Sequence, residues 1–344
     1  PRSAGSYPGP ACYGRGGTEP TVTDVNVVLG YINPDNFLGG EMKLDKAKAE
    51  EAIKKHIADP LGISVIDAAI AISQIVNSDM SNAIQYVTSQ RGHDPRNFAL
   101  FAVGGAGAIH AGRQAEDLGI NTVIVPSLAP VFCALGDVTA NLKVTELKTR
   151  FEKIKEVDLD EINKDFEQME KKAREKLGGH NIVNHLETRK YIDMRYEGEV
   201  HEVSVPVRSR TKRITALNLE ATIKDFHELH EQLYAHKDPA QNIEILNLRL
   251  DLIGVRDKIQ LIEEAFEQED PTPAKTGERT VYFSKEPVKT PIYNGSLLRP
   301  GNLINGPAII EQWGTTIVVY PGQEALIDAN RNCVIEVQQR GVLA

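Results

Sequence analysis

The chain has 344 residues, of which 41% are hydrophobic and 25% charged, so it is long enough to bury a sizeable core and to form about two domains. Its net charge of -9 argues against nucleic acid or an anionic membrane as a main partner, because both attract basic surfaces. The three cysteines are far apart, which favours neither a disulfide framework nor a zinc site and makes a reducing cytoplasm the expected location. No apolar run has the length of a membrane-spanning helix, so we expect no membrane partner.

The N-terminal region is rich in glycine and proline but also contains Tyr7, Cys12 and Tyr13. A flexible tail is usually more polar, so we expect an ordered loop within a larger protein. Asp24 follows in the run TVTD, just before an apolar segment. It is a candidate helix cap or a candidate catalytic carboxylate, and capping is the commoner role of such a residue.

Two helices are predicted next. The first covers residues 45–57, with Asp45 as its cap, and the second covers residues 64–90. The second has more apolar residues than a single stripe requires, so we expect it to be substantially buried. His93 and Arg96 follow in a connection that is typical of a surface loop.

A glycine-rich turn stands at the centre of the sequence pattern. Residues 98–103 form an apolar run of strand length, residues 104–107 read Gly-Gly-Ala-Gly, residues 108–118 have a helical pattern, and residues 122–126 read as a second strand. The pattern predicts a βαβ unit. The turn would lie at a helix N-terminus, where free N–H groups favour an anion such as a phosphate, so a nucleotide site is the functional interpretation.

A purely structural interpretation of the same turn stays open. Glycines also occur in such turns because helix and strand pack closely there, and Gly-Gly-Ala-Gly matches neither the dinucleotide fingerprint nor a P-loop. The second strand ends at Pro126 rather than at the acidic residue of a dinucleotide-binding fold.

Cys133 lies in an apolar segment with Gly and Pro at its borders. Activation of a thiol needs a neighbouring base or cation, and the local sequence offers none. We therefore expect a buried core cysteine.

The composition changes near Thr145. Residues 158–177 predict an amphipathic surface helix, and strand patterns then alternate with a helix at residues 217–234. His227 and His230 share one face of that helix and are candidate metal ligands. Because a third ligand and an HExxH motif are missing from this stretch, paired surface or hydrogen-bonding histidines are the favoured interpretation.

The C-terminal region has many short strand patterns separated by turns such as Asn305-Gly-Pro307. This spacing predicts a sandwich or barrel appended to the α/β region, with residues 270–273 as the linker.

Four separated blocks together resemble the hydantoinase A family, which includes hydantoinases, 5-oxoprolinases and ATP-dependent acetone and acetophenone carboxylase subunits. They occur in the family's order and span nearly the whole chain, and they favour the nucleotide interpretation of the glycine turn. The blocks are SAGSYPGPACYGRGG with TVTD (residues 3–24), RGHDPRNFALFAVGGAGAIHA (91–111), MRYEGEVHEVSVP (194–206) and GPAIIEQWGTTIVVYPG (306–322).

The resemblance implies an α/β fold plus a β-rich C-terminal region. Residues 1–145 resemble the second part of an actin-like, ribonuclease-H-like ATPase domain. Residues 146–344 would form an α+β domain whose β-rich module covers about residues 274–340. The first half of the ATPase region is missing from the sequence. A longer chain or a partner subunit in a hetero-oligomeric complex is therefore expected to complete the ATP cleft.

The chemistry implied by the family is phosphoryl transfer from Mg-ATP to an oxygen derived from a carbonyl group. The implied nucleotide-binding residues are Gly104, Gly105, Ala106 and Gly107. Asp24 and His110 are the candidates for an acid, a base or a residue linked to the metal, because each borders a glycine-rich block. Helix capping and core packing are their alternative roles.

Within the family, the run Ala129-Pro-Val-Phe132 is more similar to the ketone carboxylases than to the hydantoinases. The favoured function is therefore an ATP-dependent carboxylase subunit that acts on a small ketone. The alternatives are a subunit that hydrolyses a cyclic amide and a non-catalytic assembly subunit with the same fold.

Overall fold

The computed structural model describes residues 3–178, 183–209 and 213–337. The described chain forms two compact units. The first, here called the terminal unit, combines residues 3–135 with residues 261–337, and the second, the inserted unit, lies within residues 136–260. The end of the predicted β-rich module, residues 338–340, lies outside the described residues.

The helices, in chain order, are α1 Val22–Val28, α2 Lys46–Ile53, α3 Asp59–Leu61, α4 Val65–Gln90, α5 Gly107–Leu118, α6 Phe132–Thr139, α7 Leu159–Leu177 and α8 Ala216–Tyr234. The strands are β1 Leu100–Phe101, β2 Thr122–Val125, β3 Leu142–Lys153, β4 His185–Tyr196, β5 Val203–Pro206, β6 Ile243–Val255, β7 Lys275–Val281, β8 Val288–Asn294, β9 Leu303–Asn305, β10 Ala308–Gln312, β11 Thr315–Val319, β12 Gln323–Ile327 and β13 Cys333–Val337.

The predicted βαβ unit is confirmed. β1 runs parallel to β2, and α5 connects them. The two strands form one side of a five-stranded sheet of order β1-β2-β13-β12-β9, in which β13 pairs antiparallel with β2. The register places Ile335 opposite Val123, and both side chains are fully buried.

A second sheet of the terminal unit has the order β11-β10-β8-β7. Ile310 and Ile317 of this sheet share one apolar core with Val123 and Ile335 of the first sheet. The C-terminal strands were therefore correctly predicted as strands, but the separate sandwich or barrel was wrong. β13 completes the sheet of the βαβ unit, and burial of a common apolar core holds the two sheets in one body. The compact units divide at residues 135 and 136, and the domain boundary near residue 145 stays a prediction.

Helix α4 is confirmed and begins after the capping residue Ser64, but its predicted burial holds only for the first part, where Ile66 and Ile70 pack against a core. Beyond Ala69 its buried side chains are polar, namely Ser73, Asn77 and Ser81. Ile75 and Tyr86 are instead exposed by 62% and 63%. Apolar periodicity identifies a helix, but it does not show which side of the helix meets the rest of the chain.

The apolar run at residues 98–103 is also less buried than its composition indicates. Only Leu100 and Phe101 form strand β1, which lies at the edge of its sheet, and Phe98 and Phe101 are about half exposed. Cys133 is exposed, so the prediction of a core cysteine is wrong, whereas Cys12 and Cys333 are buried as free thiols.

The inserted unit is an antiparallel sheet of order β3-β6-β4-β5 that packs against α7 and α8. The amphipathic pattern at residues 158–177 is confirmed, because α7 buries Ile162 and Phe166 and begins after the capping residue Asp158. Phe226 of α8 and Tyr196 of β4 complete the same core.

Among the described residues, no single helix has both the length and the apolar character needed to span a membrane. Two helical segments, Lys46–Leu61 and Val65–Gln90, are joined at a sharp bend. Only when they are taken together do they have the length and apolar character of a membrane span.

Candidate functional site

The glycine turn is held in place at the N-terminus of α5. Gly104 has a φ of +83°, a backbone conformation that side chains disfavour, and its N–H donates to the carbonyl of Ala129 at 2.7 Å. No side chain caps α5 at Ala106, whereas α1, α2, α4, α7 and α8 all have a side-chain cap. The Ile109 N–H already donates to the Ala106 carbonyl, so the N–H groups of Gly107 and Ala108 are the ones that an anionic group of a ligand could meet.

A hairpin from the C-terminal region fixes the other side of the turn. β10 and β11 form this hairpin, and the Thr315 hydroxyl at its tip lies 3.3 and 3.2 Å from the carbonyl oxygens of Gly104 and Gly105, to which it donates. A Cβ atom at Gly105 would lie only 3.1 Å from the carbonyl oxygen of Gly314. The lack of a side chain at Gly105 thus permits a close approach of two backbone segments.

Between turn and hairpin lies a cavity of about 240 Å³, here called the turn cavity. Such a volume is below the roughly 300–1,000 Å³ of sites for whole drug-sized ligands, so it suits one part of a nucleotide. Its wall is formed by Tyr13, Thr23, Ile32, Asn33, Asn36, Phe37, Leu38, Gly105, Ala106, Ile109, Glu311, Gln312, Gly314, Thr315 and Thr316.

One carboxylate organises the polar part of this wall. Glu311 accepts hydrogen bonds from the amides of Asn33 and Asn36, at 3.4 and 2.8 Å, and pairs with Arg279 at 2.8 Å. Arg279 also donates to the backbone carbonyls of Gly30 and Tyr31. The loop around residues 30–36 is therefore fixed to both β7 and β10, and the charge of Glu311 is balanced within the wall.

The chemistry of the wall favours a neutral group. Among the described residues that line the turn cavity there is no lysine or arginine, and Ile32, Phe37 and Ile109 supply apolar surface. A polyphosphate would meet an uncompensated desolvation cost there, whereas a flat aromatic base would bury apolar area. The arrangement can hold a base or nucleoside, with anionic groups directed toward the N-terminus of α5.

Asp24 is fully buried and has a complete set of partners. Its carboxylate accepts from the N–H groups of Ala11 and Cys12, at 3.2 and 2.7 Å, and from the N–H and hydroxyl of Thr21, both at 2.8 Å. Together with Thr21 it forms a capping box at α1. These contacts favour the capping role of Asp24 and also order the turn at residues 11–13.

His110 lies on α5 between two asparagines. Its Nδ1 is 3.1 Å from the Asn77 Oδ1, to which it donates, and its Nε2 accepts from the Asn26 Nδ2 at 3.3 Å. This arrangement fits a neutral imidazole protonated at Nδ1. Burial lowers the pKa of His110 to about 4, so the ring is uncharged near neutral pH.

The structure thus separates the predicted site residues. Gly105 and Ala106 line the turn cavity, while Asp24 and His110 are absent from the described residues of its wall. The hairpin residues Glu311, Gln312 and Thr315 were missed as site residues. They lie in the block GPAIIEQWGTTIVVYPG. Local residue spacing does not predict that this block contacts a turn 210 residues earlier in the chain.

His227 and His230 are hydrogen-bonded, as predicted. The His230 Nε2 lies 2.8 Å from the Glu199 carboxylate, and the His227 Nδ1 lies 2.7 Å from the Tyr196 hydroxyl. Burial lowers the pKa of His227. Within the part of the chain that the structure describes, no group of three or more His, Cys, Asp or Glu side chains is placed to hold a metal ion.

Family models match both parts of the chain. A model of the hydantoinase/oxoprolinase family matches residues 1–146, and a model of the hydantoinase/oxoprolinase C-terminal domain matches residues 150–337. The chain belongs to the hydantoinase/oxoprolinase family, as its four sequence blocks indicated.

Two curated relatives and one solved structure show what the chain is similar to. Caprolactamase subunit alpha of Pseudomonas jessenii is 36% identical over 95% of this chain and 48% of that protein. Acetophenone carboxylase gamma subunit of Aromatoleum aromaticum is 39% identical over 98% of this chain and 47% of that protein. The crystal structure of the ATP-dependent caprolactamase from Pseudomonas jessenii matches with a TM-score of 0.85 at 35% identity, over 98% of this chain and 50% of that chain. The chain therefore spans about half the length of these relatives.

The depressed pKa of His110 predicts a dependence of stability on pH. The unfolded chain binds a proton near the ordinary pKa of 6.5, while the folded chain resists protonation until about pH 4. Stability is therefore full above about pH 6.5 and falls as the pH decreases toward 4, with a contribution of about 3 kcal/mol from this residue. Urea unfolding across this pH range measures the free energy of unfolding of the wild type and of His110→Gln. We expect this free energy to decrease less in the variant as the pH is lowered. Equal decreases in the two proteins would contradict the account.

Proposed function

We propose that the chain supplies the adenosine side of the ATP site in an enzyme that activates a carbonyl substrate by phosphoryl transfer. The observation that carries the proposal is the turn cavity, an apolar pocket beside the uncapped N-terminus of α5. Family membership and the ATP-dependent relative support the same assignment.

The turn cavity fits the nucleotide on the features already described. Its wall combines apolar side chains with a balanced carboxylate, and open space lies beside Gly104 where a side chain would stand. Gly104, Gly105, Ala106 and Gly107 would hold the nucleotide by backbone contact. Mg²⁺ would accompany the phosphates, because divalent magnesium usually keeps several waters and binds through substrate oxygens.

ATP, when bound, would supply the phosphoryl group that is transferred to an oxygen of the carbonyl substrate. The tasks left to the protein are positioning and charge stabilisation. Asp24 and His110 would contribute by positioning, since Asp24 orders the start of α1 and His110 joins α5 to α1 and α4 through Asn26 and Asn77.

The reaction is proposed to be ketone carboxylation. The identity of 39% with the acetophenone carboxylase gamma subunit supports this assignment, as does the run at residues 129–132. Hydrolysis of a cyclic amide is the second candidate, favoured by the TM-score of 0.85 with the ATP-dependent caprolactamase.

Turnover further requires a partner that completes the cleft, in a hetero-oligomeric assembly. The chain corresponds to about half of its relatives, two of which are themselves designated subunits. Ile75 and Tyr86 on α4, and Phe98 and Phe101 near β1, are large apolar side chains that the described chain leaves exposed. Burial of such surface is the usual driving force of association.

Substrate-dependent ATP hydrolysis by the complete enzyme tests the proposed reaction. We expect ADP or AMP release that requires both a small ketone and bicarbonate. Release that depends on a lactam or hydantoin without bicarbonate would instead establish the amide hydrolase. An assembled complex that binds no ATP would leave only the structural role of an assembly subunit.

A charge placed at the turn tests the nucleotide site itself. Ala106 is exposed and lines the turn cavity, so Ala106→Asp introduces a carboxylate beside the N-terminus of α5 without disturbing the core. Repulsion of the nucleotide phosphates is expected to weaken ATP binding at least about tenfold. Ala221→Asp at an exposed position on α8 of the inserted unit is the matched control and should bind ATP as the wild type does. Calorimetric titration measures both, and equal affinity of Ala106→Asp and Ala221→Asp would contradict the assignment.

A further inference from the structure

One hydroxyl group holds two carbonyl groups of the glycine turn. The Thr315 Oγ1 atom lies 3.3 Å from the carbonyl oxygen of Gly104 and 3.2 Å from that of Gly105. A hydroxyl has one proton to donate, so the two carbonyl oxygens share it. Thr315 is buried, with 5% of its surface exposed. The peptide groups that follow Gly104 and Gly105 are therefore fixed from the side of the hairpin.

Thr315 is itself held by a packed strand. It is the first residue of β11 and lies opposite Gln312 of β10, so the hairpin closes directly beside it. Further along β11, Ile317 and Val319 are buried in the core of the terminal unit. A side chain on a packed strand is positioned more precisely than a side chain on a loop. The hydroxyl of Thr315 therefore gives the flexible glycine turn a fixed point of attachment.

The peptide geometry carries this constraint to the other side of the turn. In a planar trans peptide group, the C=O and the N–H of the next residue point in opposite directions, and both peptide groups are trans. Since the carbonyls of Gly104 and Gly105 face Thr315, the N–H groups of Gly105 and Ala106 point away from it. No described group accepts a hydrogen bond from either N–H, and both residues are exposed. The turn thus offers two successive donors on its exposed side.

We propose that Thr315 is a positioning residue for ATP binding, which holds the turn so that the N–H groups of Gly105 and Ala106 meet a phosphate oxygen. The inference rests on the proposed function, because it takes ATP as the ligand of the glycine turn. Successive backbone N–H groups in a turn form a site for an anion. They directly precede Gly107 and Ala108, whose N–H groups begin α5, so the turn and the helix N-terminus would attract the same charge.

The loss of the hydroxyl should affect the phosphate groups of a ligand more than its base. Glycine backbone has a wide choice of conformations, so without Thr315 the peptide groups at Gly104 and Gly105 would be free to rotate. Binding of a phosphate would then have to restore their orientation. The net contribution of one hydrogen bond corresponds to about five- to tenfold in affinity. Adenosine has no phosphate and should be nearly insensitive to this change.

Binding of ATP and of adenosine to the complete enzyme tests the inference. Thr315→Val keeps the branched shape without the donor and should bind ATP about five- to tenfold more weakly than the wild type, with adenosine affinity changed less than about twofold. Thr315→Ala also lacks the donor and should behave in the same way. Thr315→Ser keeps the hydroxyl and should bind ATP as the wild type does. Thr276→Val is the matched control, because it removes a threonine bond of 3.3 Å to the Ile292 carbonyl in the same sheet and should bind both ligands normally.

The outcomes separate the inference from the proposed function. If the wild type binds ATP and Thr315→Val binds it equally well, or loses ATP and adenosine affinity in equal measure, Thr315 does not position the turn for the phosphates, and the proposed function is unaffected. If adenosine binds too weakly to measure, equal ATP affinities of Thr315→Val and Thr315→Ser would overturn the inference. If the wild type binds neither ligand, the proposed function fails together with the inference.

Discussion

The antiparallel pairing of β13 with β2 is the constraint on which the rest of the terminal unit depends. It joins the end of the described chain to the strand that follows the glycine turn, with Ile335 opposite Val123 in a common core. Burial of these side chains provides the main stabilisation, since fully burying one aliphatic side chain contributes about 1.5–3 kcal/mol. The inserted unit occupies the sequence between the two segments that this pairing connects.

The candidate site is a consequence of that pairing. The second sheet shares its core with the first, and its β10–β11 hairpin ends where α5 begins. The βαβ segment supplies the turn and the uncapped helix, while the C-terminal segment supplies Glu311, Gln312 and Thr315. Neither segment alone surrounds the turn cavity. Parts of both family-model matches, residues 3–135 and 261–337, therefore lie in one compact unit.

Part of the fold and of the candidate site could be predicted from the sequence, because it depends only on residues that are neighbours in the chain. A strand-length apolar run, a glycine turn and a helical pattern identify the βαβ unit, because each signal arises from neighbouring residues. The capping alternative for Asp24 was available for the same reason, since a capping box spans only four residues. The resemblance of four sequence blocks supplied the family, which local spacing does not determine.

Other features depend on contacts between distant residues. The bond from Thr315 to the turn joins residues 211 positions apart, and no spacing rule describes it. The burial of α4 was predicted from its composition, yet Ser73 and Asn77 face inward while Ile75 faces outward. Asn77 is held inward by its bond to His110, a contact with another helix that the local sequence does not show.

The central claim is that the base of ATP occupies the turn cavity. Photolabelling of the complete enzyme with an azido-adenine analogue of ATP, followed by peptide mapping, tests it most directly. The account predicts that the label falls on residues 105–109 or 311–316 and that excess ATP prevents it. Labelling confined to the inserted unit, or labelling that ATP does not suppress, would contradict the account.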